Sequence, residues 1–445
     1  MLRIESVKAS SEAAPQTVEA MIVPTKQQRA SALNARGRRL GRKHGHPGRS
    51  TRLLMSLVLT SVFLLSGPLG CHRSGAAPDE DSTKPPPAPS PVSKALEIEP
   101  AYATAPLPND PDDPAIWVHP TDPSHSLIIG TMKVRAPAGA LVVYGLDGQI
   151  RQMISGIDRP NNVDVEYGFR LAGRKIDIAV ATERLARQLR VFRIDPAEGR
   201  LVDLGGVPIL RGEEGEAGAP MGIGLYRRDR DNTVFAIVAP KTGPHDGYLW
   251  QYRLSDSGGG RIVASLVRRF GTFSATSVRE ENEIEAVAVD DALGYVYYAD
   301  EADGIHKWYA DPDRLDAGRE LAHFARKGFR GDREGIAIYA RSDGTGYIVC
   351  TDQLDEDSEY HIYLREGAPA HPHDHSREVA VIRGGADATD GLEISSSMLG
   401  AALPHGVMIA MNSKPRNFLL FRWQDIAAAV QPALRLNGQP ARVTR

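Results

Sequence analysis

From about residue 100 onward, short runs rich in Val, Ile, Leu and aromatic residues alternate with polar turns carrying Gly, Pro, Asp and Asn. That is the pattern of strands joined by turns. Six runs end in an aromatic and a polar turn. They are LVVYGLDGQ at Tyr144, LRVFRIDPAEGR at Phe192, LWQYRLSDSGGG at Tyr252, IHKWYADPD at Trp308, HIYLREGA at Tyr363 and FLLFRWQDI at Phe421. Successive copies lie roughly 50 to 60 residues apart, a period expected of propeller blades. Ahead of each stands another apolar run: SLIIGTMK, KIDIAVATE, TVFAIVAP, GYVYYADE, GYIVCTDQ and GVMIAMNS. Ahead of those come runs opening with acidic or amide residues, and an edge strand such as RIVASLVRRF often closes the unit. A repeated four-stranded unit predicts an all-β, six-bladed β-propeller over residues 100–430. An irregular all-β sandwich would not keep six copies in register. No long helix can be placed after residue 100, and 43 Gly and 31 Pro suit a turn-rich fold.

The first hundred residues follow another pattern. Residues 26–52 are strongly basic and contain no acid, and an uncharged apolar run, Leu53 to Leu69, follows directly. Small residues (Gly67, Gly70) then precede Cys71, so the segment reads as an export signal. A single membrane anchor is the rival reading, but the run is short and ends in Ser-Gly-Pro. Cys71 is placed to be the lipid-bearing first residue of a bacterial lipoprotein, although Pro68 stands where such signals usually carry Leu. The expectation is an exported protein, either lipid-anchored at the cell envelope or secreted. Met21 or Met55 is a candidate internal start. Residues 72–99 form a Pro-rich, disordered linker, 1–71 the basic extension and signal, and 431–445 a C-terminal tail.

The formal net charge of -3 gives no reason to expect nucleic acid. Because the basic run lies outside the propeller, the propeller itself is more acidic than the total, which suits a cation-binding body. Of the two cysteines, Cys350 lies in the strand pattern Tyr347-Ile-Val-Cys350, so a buried core residue is expected and no disulfide framework.

The acids fall at the starts of the innermost strands. NDPDDPAIW sets Asp110, Asp112 and Asp113 against an apolar run, with Pro111 and Pro114 holding the segment extended. The arrangement recurs at Asn162-Val-Asp164, at Glu285, at Asp332 and Glu334, and at Asp390. In a propeller these positions gather at one mouth of the central channel, so the acids are expected to converge on a metal site. All are oxygen donors with no Cys or His interleaved, which favours calcium over zinc or copper; magnesium prefers a smaller octahedral set. Lys133, Arg184 and Lys241 occupy equivalent positions just past the middle strands of three blades. Cations facing a metal make an anion trap suited to several phosphates. Singly, each acid can be a turn residue and each base a solvated charge. His371, His373 and His375 alternate, but Pro, Asp and Ser around them predict an exposed loop; Asp355 to Glu359 (DEDSE) reads as a solvated loop.

NDPDDPAIW, RPNNVDVEYGF, KIDIAVATER, VAVDDALGYVYYADE and REGIAIY resemble, in order and spacing, the motifs of the β-propeller phytases, over about residues 105–428. The resemblance implies a calcium-dependent phosphomonoesterase that releases phosphate from phytate (myo-inositol hexakisphosphate), with several calcium ions and a calcium-bound water as nucleophile. By motif it places calcium ligands at Asp112, Asp113, Asn162, Asp164, Glu285, Asp332, Glu334 and Asp390. It places phosphate-binding groups at Lys133, Arg184 and Lys241, and an acid that holds calcium and orients water at Glu301. With Glu285 these make up the expected catalytic set. Asn412 stands where the family has an acidic ligand and keeps one oxygen donor; Met221 replaces a Tyr near substrate; Glu183 stands where a neutral residue is usual and is placed to pair with Arg184. The loop before Asp390 is shortened. These departures leave open a propeller phosphatase of altered specificity, or a calcium-stabilised propeller that binds without turnover. A monomer acting on a small polyphosphate is expected.

Overall fold

The computed structural model describes residues 94–274 and 282–438. The export segment, Cys71, most of the linker and the last residues of the tail therefore lie outside the described residues. The described chain forms six sheets around a channel, as the repeats predict. Blade one is Pro111–Trp117, Leu127–Met132, Ala140–Gly145 and Ile150–Ser155, counted from channel to rim. Blade two runs Pro160–Leu171, Arg174–Glu183, Gln188–Asp195 and Arg200–Pro208. Blade three runs Pro220–Arg228, Thr233–Pro240, Asp246–Asp256 and Ile262–Thr272. Blade four runs Val287–Asp290, Tyr295–Asp300, Gly304–Tyr309 and Glu320–Phe324, and blade five Asp332–Ala340, Gly346–Gln353, Glu359–Leu364 and Glu378–Arg383.

Blade six closes the ring with a borrowed strand. Leu392–Ser395, Val407–Asn412 and Asn417–Arg422 are completed by Tyr102–Ala103 from the other end of the propeller. Closure with an N-terminal strand leaves no open edge between first and last blade. A second short strand, Leu96–Glu97, pairs in parallel with the rim strand of blade five, and Ile98 behind it is buried. This corrects the boundary at 99: the last residues assigned to the linker are strand-paired. At the other end, a short helix (Trp423–Ala429) is followed by a segment that packs back on blade five. There the Arg435 and Asn437 amides donate to the Tyr347 and Tyr339 hydroxyls at 2.7 and 2.8 Å, so residues 431–438 are docked rather than a free tail.

The second and third strands of each blade are apolar on both faces because neighbouring blades cover both. Leu127–Met132, Ala140–Gly145 and Val407–Asn412 are buried along their whole length. Blades six and one share a core of Ile116, Ile128, Val142, Tyr144, Val407, Ile409, Met411 and Phe418. Gly130 is required there: a Cβ would lie 2.5 Å from the Phe418 ring. Cys350 is fully buried and burial pushes its thiol up to about 12, so it is an inert core residue, as expected.

Blade five carries a buried charge system of its own. His361 bonds through Nδ1 to Glu378 at 2.6 Å, with Asp352 on its other side at 3.8 Å. Burial pulls its pKa down, but Asp352 and Glu378 outweigh that and hold it above the ordinary histidine value. A histidine with a raised folded pKa contributes stability that is complete below about pH 6.5 and is lost as pH rises through the raised value. The melting temperature should therefore carry a component that falls across that window. His361→Gln should remove that component; an unchanged slope in the variant would refute the assignment.

Candidate metal and phosphate centre

The inner strands begin irregularly, and this builds the site. Ladder register shifts fall between Pro111 and Pro114, Pro160 and Val163, Pro220 and Ile223, and Arg333 and Ile336. Three of these shifts open on a proline, which has no N–H to continue the ladder. Each frees two consecutive residues from strict alternation, as bulges beside functional sites do. In blades four and six the inner strand begins later, and Glu283–Ala286 and Thr389–Gly391 run beside the second strand on scattered bonds. Glu301 N donates to Glu283 O at 3.2 Å, and Met411 N to Gly391 O at 3.0 Å.

Lys133 is the hub of the first cluster. Its ammonium pairs with Asp112, lies 3.0 Å from Asp390 and 4.0 Å from Glu285, and thus joins blades one, six and four. Burial opposes its charge, but Asp112, Asp390 and Glu285 outweigh burial and keep it protonated. Asn161 extends the network: its amide donates to Glu285 at 3.3 Å and to Asn162 Oδ1 at 2.8 Å, and its oxygen accepts from Arg184 at 3.3 Å. Gln353 donates to Asp390 from the other side.

The second cluster is a pair of carboxylate triads. Glu283, Glu285 and Glu301 each offer an oxygen within 4.8 Å of the others, and Glu301 does the same with Asp332 and Glu334. Glu301 is shared by both. Lys241 pairs with Glu283, so Lys241 and Lys133 engage residues two apart on one segment. The carboxylates of both triads are buried except Asp332, which, like Lys133 and Lys241, is half-buried.

Other expected ligands are engaged differently. Asp113 Oδ2 accepts Val163 N of blade two at 2.9 Å, and Asp164 Oδ2 accepts Leu225 N of blade three at 2.7 Å. Each clasps the next blade's inner strand. With Glu334 and Glu393 they line a channel cavity of about 320 Å³. Burial pushes the Asp164 carboxyl up to about 6, against the two backbone amides it accepts. Burial, together with Asp164 and Asp113, raises Glu393 well above the usual carboxylate range. Asn412 uses its oxygen on Asp387 N (3.0 Å) and its amide on Asn417 (3.0 Å), bracing the corner of blade six.

Three expectations are corrected. Glu183 does not pair with Arg184: Glu183 ends its strand, Arg184 opens the turn after it, and the Glu183 oxygens accept Asp158 N at 2.8 Å and Gln188 Nε2 at 2.6 Å. Arg184 is left to Asn161. The His371–His375 segment is not wholly exposed: His375 is buried, with Nδ1 on Leu364 O at 2.8 Å and Nε2 3.0 Å from the Lys307 ammonium. The Asp355–Glu359 loop is solvated only at Asp355 and Glu356; beyond them Asp357 accepts Gly385 N at 2.7 Å and Glu359 pairs with Arg330 at 2.7 Å. Met221 is fully buried beside the blade-three bulge, and its carbonyl accepts from Thr182 at 2.7 Å. Glu283 and Asn161 are the site residues that the acid-before-strand pattern missed. The alternation Glu283-Ile-Glu285 carried the signal for the first.

Fold and clusters together describe a six-bladed β-propeller with acidic groups that could hold a metal beside two ammonium groups at one channel mouth. The model of the phytase family matches residues 92–441, and the chain belongs to that family; it is a phytase-type hydrolase. It is similar to the 3-phytase of Bacillus subtilis (strain 168), 30% identical over 329 residues that make up 71% of this chain and 80% of the relative. The crystal structure of RRP9 WD40 repeats is similar at a TM-score of 0.43 and 10% identity, covering 74% of this chain and 99% of that one. The propeller assignment rests on strand order, not on that likeness.

Proposed function

We propose that this enzyme is calcium-dependent and releases phosphate from phytate. The observation that supports this best is the pair of carboxylate triads sharing Glu301, with Lys133 and Lys241 held on the same segment. The donor set is all oxygen, with no His or Cys within either triad, and this fits calcium rather than zinc. Glu283, Glu285, Glu301, Asp332 and Glu334 would hold the ions, with Asp112 and Asp390 beside them. When bound, calcium supplies positive charge to phosphate oxygens and makes water more acidic.

The protein groups do the rest. Lys133 and Lys241 pair with carboxylates of these clusters. A divalent cation held by those acids would neutralise them, which would leave both ammonium groups available to phosphate oxygens. Arg184 keeps its place through Asn161 and offers a planar fork to a second face of the phosphate. In this reading Glu301 would accept the proton of the attacking water as the P–O bond to the inositol breaks, and the leaving alkoxide would take its proton from solvent. Several adjacent phosphates on one ring suit three separated cations.

Chelation should abolish phosphate release from phytate, and calcium should restore it where zinc does not. Release that persists after complete chelation would overturn the calcium dependence. Hydrolysis of a simple aryl phosphate with none of phytate would overturn the substrate. Export, with or without a lipid on Cys71, is proposed on the sequence alone. Membrane partition unchanged by Cys71→Ser would sink the lipid anchor.

A further inference from the structure

Blade four carries a second group of ligating side chains with different chemistry. Asp303, His306 and His323 each offer one ligand atom, and the three atoms lie within 4.8 Å of one another. His306 is buried on the third strand, His323 stands on the rim strand, and Asp303 is in the turn between the second and third strands. His306 Nδ1 bonds to Glu320 at 2.5 Å. A carboxylate only accepts, so Nδ1 is the nitrogen that carries a proton toward Glu320, and Nε2 is the one left to offer a metal. That Nε2 is buried and has no hydrogen-bond partner; neither has Nε2 of His323. Asp303 gives one oxygen to Arg326 at 3.2 Å and leaves Oδ2 3.4 Å from His323 Nε2. Gly304 keeps the space beside that nitrogen open, since a Cβ there would lie 2.9 Å from it.

The equivalent position in blade five also gathers a histidine and two acids, with His361 Nε2 unpartnered, but only one imidazole stands there. His361 also bonds a rim-strand carboxylate, Glu378, but the ring stacked on it is Phe329, at 4.0 Å between centroids. The neighbouring Asp352 is taken by the amides of Arg330 and Gly331. In blade four the stacked ring is His323, at 4.1 Å, and an aspartate oxygen stands beside it. An apolar ring would serve packing equally well; two imidazoles and a carboxylate serve a metal.

We propose that Asp303, His306 and His323 bind a borderline transition-metal cation, zinc for preference, at a site separate from the carboxylate triads. Two imidazoles and one carboxylate, with a fourth position left to water, match tetrahedral zinc and mismatch calcium. Glu320 orients His306 as carboxylates behind zinc histidines do. His323 is about a quarter exposed at its side chain (24%), so its ring has room to tilt away from the stack and converge on the ion. The bound ion would tie the third and rim strands to the turn over residues 301–303, of which Glu301 is the first residue.

The test is a titration of the calcium-loaded full-length protein, freed of transition metals, with Zn2+ by calorimetry and with Co2+ by absorption. The expected result is one saturable equivalent, a tetrahedral cobalt spectrum and a higher melting temperature with zinc. His323→Ala and Asp303→Asn should each weaken binding at least about tenfold, and Glu320→Gln by roughly tenfold. Melting of the variants without metal shows whether they fold; Glu320→Gln, which leaves all three ligands in place, is the second readout if one does not. No saturable binding would overturn the site. Binding unchanged in His323→Ala and Asp303→Asn but lost in His371→Ala with His373→Ala would overturn it too, by moving zinc to the histidine loop.

Discussion

Replacing Glu301 by glutamine should lower kcat for phosphate release by about two to three orders of magnitude. Glu301 is the member common to both triads, so one substitution removes charge from both. It is almost fully buried, and its Oε2 accepts the Glu283 amide at 3.2 Å. Glutamine has the same shape and keeps an oxygen for that bond, so the fold should survive. The measurement is kcat against calcium concentration. If Glu301 only holds the ion, high calcium should restore kcat and only the calcium requirement shifts. If it also takes the proton of the attacking water, kcat should stay low at saturating calcium. Wild-type kcat at every calcium concentration would remove Glu301 from the site. Lys241→Met is the companion: it removes the ammonium held by Glu283 and should raise KM for phytate more than it lowers kcat.

The blades were legible because each repeats one hydrophobic pattern six times. The closure was not. Tyr102–Ala103 and Leu96–Glu97 are two residues each, too short for any period, and their partners lie some three hundred positions away. The site was legible in part. Asp112, Glu285, Asp332, Glu334 and Asp390 announce themselves as acids before strands, Glu301 only through the family resemblance, and the structure brings all six to one mouth. Asp113 and Asp164 announce themselves the same way, yet each accepts an amide of the next blade. Sequence does not distinguish a carboxylate facing an ion from one facing a neighbouring backbone N–H, because the difference is one of blade-to-blade distance. Asn161 was hidden beside Asn162 because strict alternation places only one of the two toward the channel, and the bulge relaxes that rule. His375 looked exposed from its Pro, Asp and Ser neighbours, and only the fold supplies Lys307, 68 positions earlier.

The same distance problem conceals the buried ion pair with the largest expected effect on stability. Arg365 closes on Asp290 with two bonds of 2.6 Å, both side chains out of solvent, and its remaining donor reaches the carbonyls of Arg341 and Thr345 at 3.2 and 3.1 Å. The pair links the end of blade four's inner strand to the turn that follows blade five's third strand. Arg365→Met should cost about 3–5 kcal/mol, because it strands the Asp290 carboxylate in a site with little water. For a body of this size that is roughly a 5 °C fall in melting temperature. Most of this is the cost of the orphaned charge rather than the worth of the pair, so the double variant Arg365→Met with Asp290→Asn should recover much of the loss. Its coupling energy from a double-mutant cycle is the decisive quantity. Single and double variants that lose equal stability would mean that the pair acts through packing of the arginine stem alone. Because Asp290 stands at the opposite end of its strand from Glu283 and Glu285, kcat measured well below the melting temperature should be unchanged in all three proteins. A matching fall in kcat would instead show that the carboxylate mouth depends on the tilt this pair imposes between blades four and five.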